Sequence, residues 1–450
     1  MIQVKASGGK GGLPSDWTEE VTATALEAIA KGDAVEYRMY PGVDVFNYGT
    51  ETLPDACTFF AYTPDNVFRV FQSINNICIQ RYVDGAYVTL QTIIPAGGEL
   101  DYHNGIAITS DGQYIFLTYD PASSNQDRLL IYKTTDWETW SLLYTYTHAV
   151  ANVKLTKIAM AIDKYILVCT VPRGSFSVSD KAVYAFKFEN DTLTPLTITG
   201  VSTYSDDSNA VSGGRDCDVS DDGVYWIYTL VNDTTSSAVY MLKRTGDGFA
   251  NMFAATAIYR LTGSVPNGFG SCAINGVGNQ FAFTFGNTPY IKHFSLINDV
   301  ATELPAPDIA MPGYTNVNPT NFRYKRLAYS KDGNYLFVSG DWIPNVIFYK
   351  INGNNLTKLA NPATLAGSVS NIYASADGKK VYINNPGDGV LKNYLTGVGA
   401  YIIPLISMAE TRYLSLNQYT HFGVGMAKTS ALEGQPCTAT LFKKINDAGV

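Results

Sequence analysis

Ser110-Asp111-Gly112-Gln113-Tyr114, Asp221-Asp222-Gly223-Val224-Tyr225, Lys331-Asp332-Gly333-Asn334-Tyr335 and Ala376-Asp377-Gly378-Lys379-Lys380-Val381-Tyr382 are one turn written four times. Each stands between two apolar-rich runs of strand character. Asp-Gly in that setting is the strongest short-range hairpin signal, because Gly accepts the positive φ that a tight turn needs. Counted from this turn, four units open near Ile106, Cys217, Leu327 and Ile372. The first two gaps are about twice the span of a propeller blade and the last is about one, so further units lie between them. They read as Ile158 to Thr199, with Tyr165-Ile166-Leu167-Val168 then Ala182-Val183-Tyr184-Ala185-Phe186, and as Cys272 to Leu304, with Phe281-Ala282-Phe283-Thr284-Phe285. Cys57 to Ile94 opens the series, with Thr63-Pro64-Asp65-Asn66 in place of Asp-Gly.

Seven units of four short strands cannot each bury two faces alone, but packed around an axis they can. The expected fold is therefore all-β, a seven-bladed β-propeller of four-stranded blades. The first and last units each read as containing all four strands, so the ring is expected to close by packing, without a strand borrowed from the other terminus. Strand order puts the Asp-Gly turns on one face, and the second-to-third-strand loops and inter-blade links on the other. All the length variation falls on that second face: Tyr119 to Asp127, Val171 to Asp180, Val231 to Ser237, Ser339 to Asn345, Asn384 to Gly389, and the links Gly200 to Arg215 and Asp308 to Arg323. Their Asn, Asp, Ser, Gly and Pro content suits turns and polar recognition alike. Tyr119, Arg173, Trp342 and Asn345 are the candidate recognition residues there. His103, Arg215 and Asp216 precede inner strands and are candidates for the channel mouth, an ion pair being the structural reading of Arg215 and Asp216.

Tyr 31, Phe 21 and Trp 5 against 16% charged residues describe aromatic-rich strands rather than a disordered chain. The net charge of −8, with no run of Lys or Arg, argues against nucleic acid as a partner. Met1 to Gly12 is polar and Gly-rich with no apolar core, and Ala400 to Ala409 is short and broken by Pro404, so neither a secretory leader nor membrane insertion is expected. The clearest helical pattern, Glu19 to Ala30, ends at Gly32-Asp33. Six cysteines at irregular spacing read as thiols.

No motif announces a cofactor or a metal. Asp218-Val219-Ser220-Asp221-Asp222-Gly223 imitates the start of an EF-hand loop, but Thr229 stands where a bidentate Glu is required, and strands flank it. Gly8-Gly9-Lys10-Gly11-Gly12 lacks the phosphate-loop spacing. His103, His148, His293 and His421 have no metal spacing. Thr134-Thr135-Asp136-Trp137-Glu138-Thr139-Trp140 resembles the Asp-box hairpin of sialidase-like propellers, one residue short and without its Gly. The box is structural even where complete, and the arginine cluster, Tyr/Glu pair and acid of a sialidase are not assembled by the sequence.

Residues 1–53 and 407–450 fall outside the blade pattern, leaving 54–406 for the propeller. Leu26 to Tyr37 passes through Gly32-Asp33-Ala34-Val35 into an alternating strand. Phe422-Gly423-Val424-Gly425-Met426-Ala427 leads through Gly434 to a second strand at Pro436. The pair resembles a small β module of tailed-bacteriophage virion proteins. In that module an opening A-x-x-G-D-x-V strand is matched by a closing G-(V/I)-A-x-(T/S)-(S/A)-x-x-G segment, with a variable domain carried between; Met426 interrupts the closing pattern. The resemblance implies an anchor module in two halves, with Gly32, Asp33, Val35, Gly423, Val424 and Gly434 as its anchor residues and the propeller as an insertion. It further implies a non-enzymatic virion protein, of tail-fibre, tail-tip or head/collar decoration type, present in symmetric copies on the particle. Other virion proteins are the implied partners, and host-surface glycan a further one. Two other readings stand beside it: a propeller enzyme acting on glycans or lactones through acidic and arginine side chains in the channel, and an intracellular scaffold binding a peptide. Fold does not choose among them.

Overall fold

The repeated turn forms as its residues require. Gly112, Gly223 and Gly333 take φ of +74°, +66° and +74°, and in the three units without Asp-Gly the same bend is made by Asn66 at +58°, by Ile162 and Asp163 at +47° and +53°, and by Gly278 at +77°. Where the turn is preceded by Ser or Thr, one hydroxyl ties it shut. Ser220 Oγ donates to Asp222 Oδ1 at 2.6 Å and accepts the Tyr225 N–H at 3.0 Å, while Asp222 Oδ1 accepts the Val224 N–H at 2.9 Å. Thr109 and Asp111, Ser330 and Asp332, and Thr63 and Asp65 repeat the arrangement. These local bonds close each turn from within, and the next blade adds to them: the Ser110 N–H donates to Asp163 Oδ1 at 2.7 Å and the Asp221 N–H to the Gly276 carbonyl at 2.8 Å.

The computed structural model describes residues 18–25, 34–39, 45–53, 57–73, 76–83, 86–95, 105–120, 126–172, 181–200, 212–232, 236–253, 257–262, 270–284, 291–307, 324–330, 332–340, 346–359, 371–375, 380–385, 390–396, 400–404, 421–427 and 436–442. It contains seven four-stranded antiparallel blades whose inner strands are Cys57–Tyr62, Ile106–Ile108, Val153–Ala161, Ser212–Val219, Cys272–Ile274, Tyr324–Tyr329 and Asn371–Ala374, numbered here blades 1 to 7. Blade 4 carries additions: Tyr259–Thr262 pairs the start of its third strand, Ser236–Thr245, and Ile198–Thr199 pairs its outer strand, Gly248–Asn251, in parallel.

The core lies between neighbouring blades. Phe68, Ile115, Leu117, Tyr119 and Trp140 pack between blades 1 and 2, and Tyr165, Cys217, Trp226, Tyr240 and Phe249 between blades 3 and 4. At the turn face a polar clasp recurs. Asp191 accepts from Tyr114 Oη at 2.7 Å and Lys133 Nζ at 2.6 Å, Asp247 from Tyr165 and Lys187, and Asp299 from Tyr225 and Lys243. Each joins one blade to the third-to-fourth-strand turn of the next. Between blades 1 and 2 aromatic stacking takes its place, Phe68 on Trp137. Trp137, at φ +61°, stands where the Asp-box has its Gly, and Asp136 holds that turn. Hydrogen bonds from the Thr139 side chain and backbone, the Glu138 N–H and Thr134 hold the Asp136 carboxyl well below the ordinary range.

Ring closure corrects the sequence reading. The outer strand of blade 7 is not its own: Val45–Thr52 pairs with Val390–Thr396, so the ring closes on a strand from the N-terminal side. Glu51 secures it, accepting from Asn393 Nδ2 of blade 7 and from Arg69 Nη2 of blade 1, both at 2.7 Å. Arg69 is itself buried, bonded to Gln80 and stacked over the Tyr87 ring at 3.5 Å. Leu53, Phe60, Tyr62, Tyr382 and Leu391 fill the seam, with Tyr62 stacked between Tyr373 and Tyr382.

The chain divides into two compact units, Val45–Thr396 and Met1–Asp44 with Gly397–Val450. The divisions thus fall at 44 and 397 rather than at 53 and 407, since Val45–Thr52 belongs to blade 7 and Ala400–Pro404 to the second unit. That unit is a closed barrel in the order Thr18–Ala25, Ala400–Pro404, Ala34–Met39, His421–Ala427, Pro436–Phe442. Thr18–Ala25 is a strand where the sequence suggested a helix. Its seven-residue antiparallel register with Pro436–Phe442 and its Thr and Val content favour extended backbone over the weak helical pattern. Pro436 opens its strand, where no ladder bond is demanded of it.

Candidate functional site

One residue of each repeat stands immediately before the anchor position of the inner strand: Phe59, Gly105, Lys157, Asp216, Ser271, Arg326 and Asn371. In blades 3 to 7 these side chains form a polar tier at the channel. Asp216, on the blade 4 inner strand, is its centre and is 3% exposed. Its Oδ1 accepts from Arg326 Nη1 at 2.7 Å and from the Cys217 N–H at 3.1 Å, and lies 3.9 Å from Lys157 Nζ. Its Oδ2 accepts from Ser271 Oγ and from the Cys272 N–H at 3.2 Å. Ser271 Oγ accepts the Leu327 N–H at 2.9 Å, and Arg326 Nε donates to Asn371 Oδ1 at 2.9 Å. One network therefore steps from blade to blade across the ring. Burial pushes the Asp216 carboxyl above its ordinary range, against the opposing pull of Lys157 and these hydrogen bonds.

Two residues further along the same strand, Asp218 also faces the channel, as the period of two requires. Its Oδ2 accepts the Ile274 N–H of blade 5 at 3.0 Å. Burial raises this carboxyl to about 6, with Lys157 acting the other way. Beside the two acids lies a cavity of about 200 Å³, walled by the inner strands of blades 3 to 7 and lined by Lys157, Asp216, Asp218, Ile274, Arg326 and Tyr373 among others. Cys217 and Cys272 line it too and are thiols, as are Cys78 and Cys169. Among the described residues no group of three or more His, Cys, Asp or Glu is placed to hold a metal ion. No helix among them is long and apolar enough to cross a membrane.

Of the residues singled out in the sequence, Asp216 lies in the channel. Among the described side chains its closest cationic partner is Arg326, 110 positions away; Arg215 lies on the same strand, with its side chain outside the described residues. Tyr119 is corrected: expected on a recognition loop, it is the last residue of Tyr114–Tyr119, pairs with Arg128, and is 1% exposed in the core between blades 1 and 2. His103, Arg173, Trp342, Asn345, Gly32, Asp33 and Gly434 lie outside the described residues. Val35, Gly423 and Val424 are barrel-strand residues: Glu36 pairs with Val424, Tyr37 with Gly423, and Val35 with Gly425. Sequence reasoning missed Lys157, Asp218, Ser271, Arg326 and Asn371. Their signal was available, since aligning the repeats places four of them in one column.

No family model matches the sequence, and no curated protein matches it. Solved structures do. The β-propeller domain of Cps50 (Swd1) from Myceliophteria thermophila is 8% identical at a TM-score of 0.53, covering 78% of this chain and 100% of its own. A Bacteroides uniformis protein provisionally assigned as a 6-phosphogluconolactonase is 13% identical at a TM-score of 0.52, covering 88% and 100%. The hydrazine synthase of Kuenenia stuttgartiensis is 13% identical at 0.52, covering 77% and 97%. At these identities the likeness carries the β-propeller fold and nothing further.

Proposed function

We propose that this chain is a non-enzymatic structural protein of a tailed-phage particle, its propeller carried on the terminal barrel as an anchor. One observation carries the reading: the described parts of the two short motifs that resemble the virion module, Ala34-Val35 and Gly423 to Ala427, lie on strands that are hydrogen-bonded neighbours, Ala34–Met39 and His421–Ala427, in one closed barrel. They come from opposite ends of the chain and pair in one barrel, as halves of one module with the propeller inserted between them would. The saturation of Asp216 also favours a structural role, since a carboxylate with every listener occupied is a poor general acid or base.

The test is peptide mass spectrometry on density-purified particles from the source culture, with soluble lysate as control. Enrichment at a fixed ratio to the major capsid protein supports the reading, and the ratio separates a tail fibre from a head or collar decoration. Absence from particles refutes it. Deleting residues 411–450 removes two barrel strands and is expected to leave a folded propeller that no longer assembles.

A channel enzyme acting on glycans or lactones is the second reading, favoured by the meeting of Asp216, Asp218, Lys157 and Arg326. It requires hydrolysis of some member of a glycan and lactone panel, abolished in Asp216→Ala or Asp218→Asn.

A further inference from the structure

We propose that the terminal barrel is the clamp of the propeller ring: its pairing holds one end of the closing strand, so that whatever steadies the barrel also tightens the ring. The inference rests on register. The chain leaves the barrel at Met39 and returns to it at Ala400, and these two residues are partners in one antiparallel ladder. It enters the propeller at Val45 and leaves it at Thr396, and these two are also partners in an antiparallel ladder. The crossings, residues 40–44 and 397–399, therefore join one closed pair to another.

The closing strand, Val45–Thr52, is held unevenly along its own length. At one end Glu51 accepts from Asn393 Nδ2 and Arg69 Nη2, both at 2.7 Å, and Leu53 is buried in the seam with Leu391. Between Asn47 and Gly49 the register against Val390–Thr396 shifts, and such a bulge interrupts the ladder. Beyond it remain three pairs, Val45 with Thr396, Phe46 with Leu395 and Asn47 with Tyr394. The Glu51 bonds lie on the other side of the bulge. The strand ends its sheet, so these pairs have a neighbour on one side only, and a short edge ladder of this kind opens first.

The barrel counters that opening by proximity. While Met39 and Ala400 are paired, a parted Val45 stays tethered to Thr396 through two short crossings, and short tethers give effective concentrations in the millimolar range. With the barrel pair open, the same end of the strand has the whole ring between it and its partner along the chain. The coupling is reciprocal, because pairing on either side of the crossings reduces the entropy that pairing on the other must remove. A partner that binds the barrel thereby closes the ring without touching a blade. The inference is independent of the virion reading, since it requires only the two registers.

The experiment is hydrogen exchange on the full chain, with Gly-Ser insertions of increasing length placed in residues 40–44. About thirty added residues lower the effective concentration roughly tenfold. Exchange along 45–47 and 394–396 should rise by up to about that factor, while Val390 and Leu391, beside the Glu51 bonds, change far less. A protease site within the insertion, cut after folding, removes that tether and should give the largest rise. The same insertion beside Gly353, a turn position with nothing within 4 Å, should leave these amides unchanged. Exchange along Ala34–Met39 reports whether the barrel is paired; a variant in which it is not has lost the clamp and should show the same local rise. Unchanged exchange along 394–396 after cutting overturns the proposal. So does a rise spread evenly over Val390–Thr396 or over the other blades, which is general loosening rather than release of one end.

Discussion

Two buried groups of the propeller titrate in opposite senses, and removing either should expose the other. His293, on Ile291–Ile297 of blade 5, is 2% exposed, and neither ring nitrogen has a hydrogen-bond partner; its ring centroid is 6.2 Å from that of Tyr329. Burial lowers its pKa from 6.5 to about 4. As pH falls through that window the unfolded chain gains a proton on His293 that the folded chain refuses, so stability present above 6.5 is lost. Asp218 runs the other way. Its folded carboxyl, raised from 3.8 to about 6, takes a proton while the unfolded one is still ionised, so stability rises as pH falls through the same range. At about 1.4 kcal/mol per pH unit of displacement, each contributes about 2 kcal/mol between about pH 7 and about pH 4.5, with opposite signs. Asp218 keeps a minor part of its surface in contact with solvent, so it should fall somewhat short of its share. The parent protein should therefore change little over this range from these two groups. Relative to it, His293→Leu should gain about 2 kcal/mol on acidification, and Asp218→Asn should lose a comparable amount. Urea unfolding followed by tryptophan fluorescence, with Trp226 buried between blades 3 and 4 as reporter, measures both. If both variants parallel the parent across the range, or shift in the same direction, burial is not what governs these groups and the reasoning fails.

The remaining expectations concern turns and closure. Gly112→Ala would set a Cβ 2.7 Å from Phe68 Cδ2, on a ring wedged against Trp137 and Trp140, at a φ of +74°; it should cost about 2 kcal/mol or more. Gly353→Ala, at φ +61° with nothing within 4 Å, should cost only about 1 kcal/mol, and equal melting shifts for the two would contradict the packing argument. Glu51→Gln strands the buried Arg69 charge at the ring seam and should cost about 3 kcal/mol, much of it recovered in the double variant with Arg69→Met; strictly additive losses in the double-mutant cycle would show that the pair does not couple. A chain lacking residues 1–52 loses the outer strand of blade 7, and hydrogen exchange should then become fast first along Val390–Thr396; unchanged protection there would mean that the strand does not close the ring.

What the sequence determined by itself was local. Asp-Gly with a preceding Ser or Thr and a following Tyr closes its own hydrogen bonds within six residues, so the turn, its period and the count of seven units follow without tertiary information. The alternation along each strand likewise marks which residues reach the channel, and one more step of alignment would have put Lys157, Asp216, Arg326 and Asn371 in one column. Tertiary structure decided everything that depends on which residues meet. Val45–Thr52 is a short mixed stretch like many edge strands, and nothing in it says that its partner is Val390–Thr396, near the far end of the chain. The pairing of Asp216 with Arg326 is set by the order of blades around the ring rather than by distance along the chain. Tyr119 reads as the first residue of a loop, yet the register of Tyr114–Tyr119 against Arg128–Lys133 carries it into the core. Thr18–Ala25 has weak propensities either way, and its state was chosen by a partner strand supplied from the far end of the chain. Short-range chemistry is written in adjacent residues. Closure, pairing and the channel's charge balance arise only when distant segments share one space.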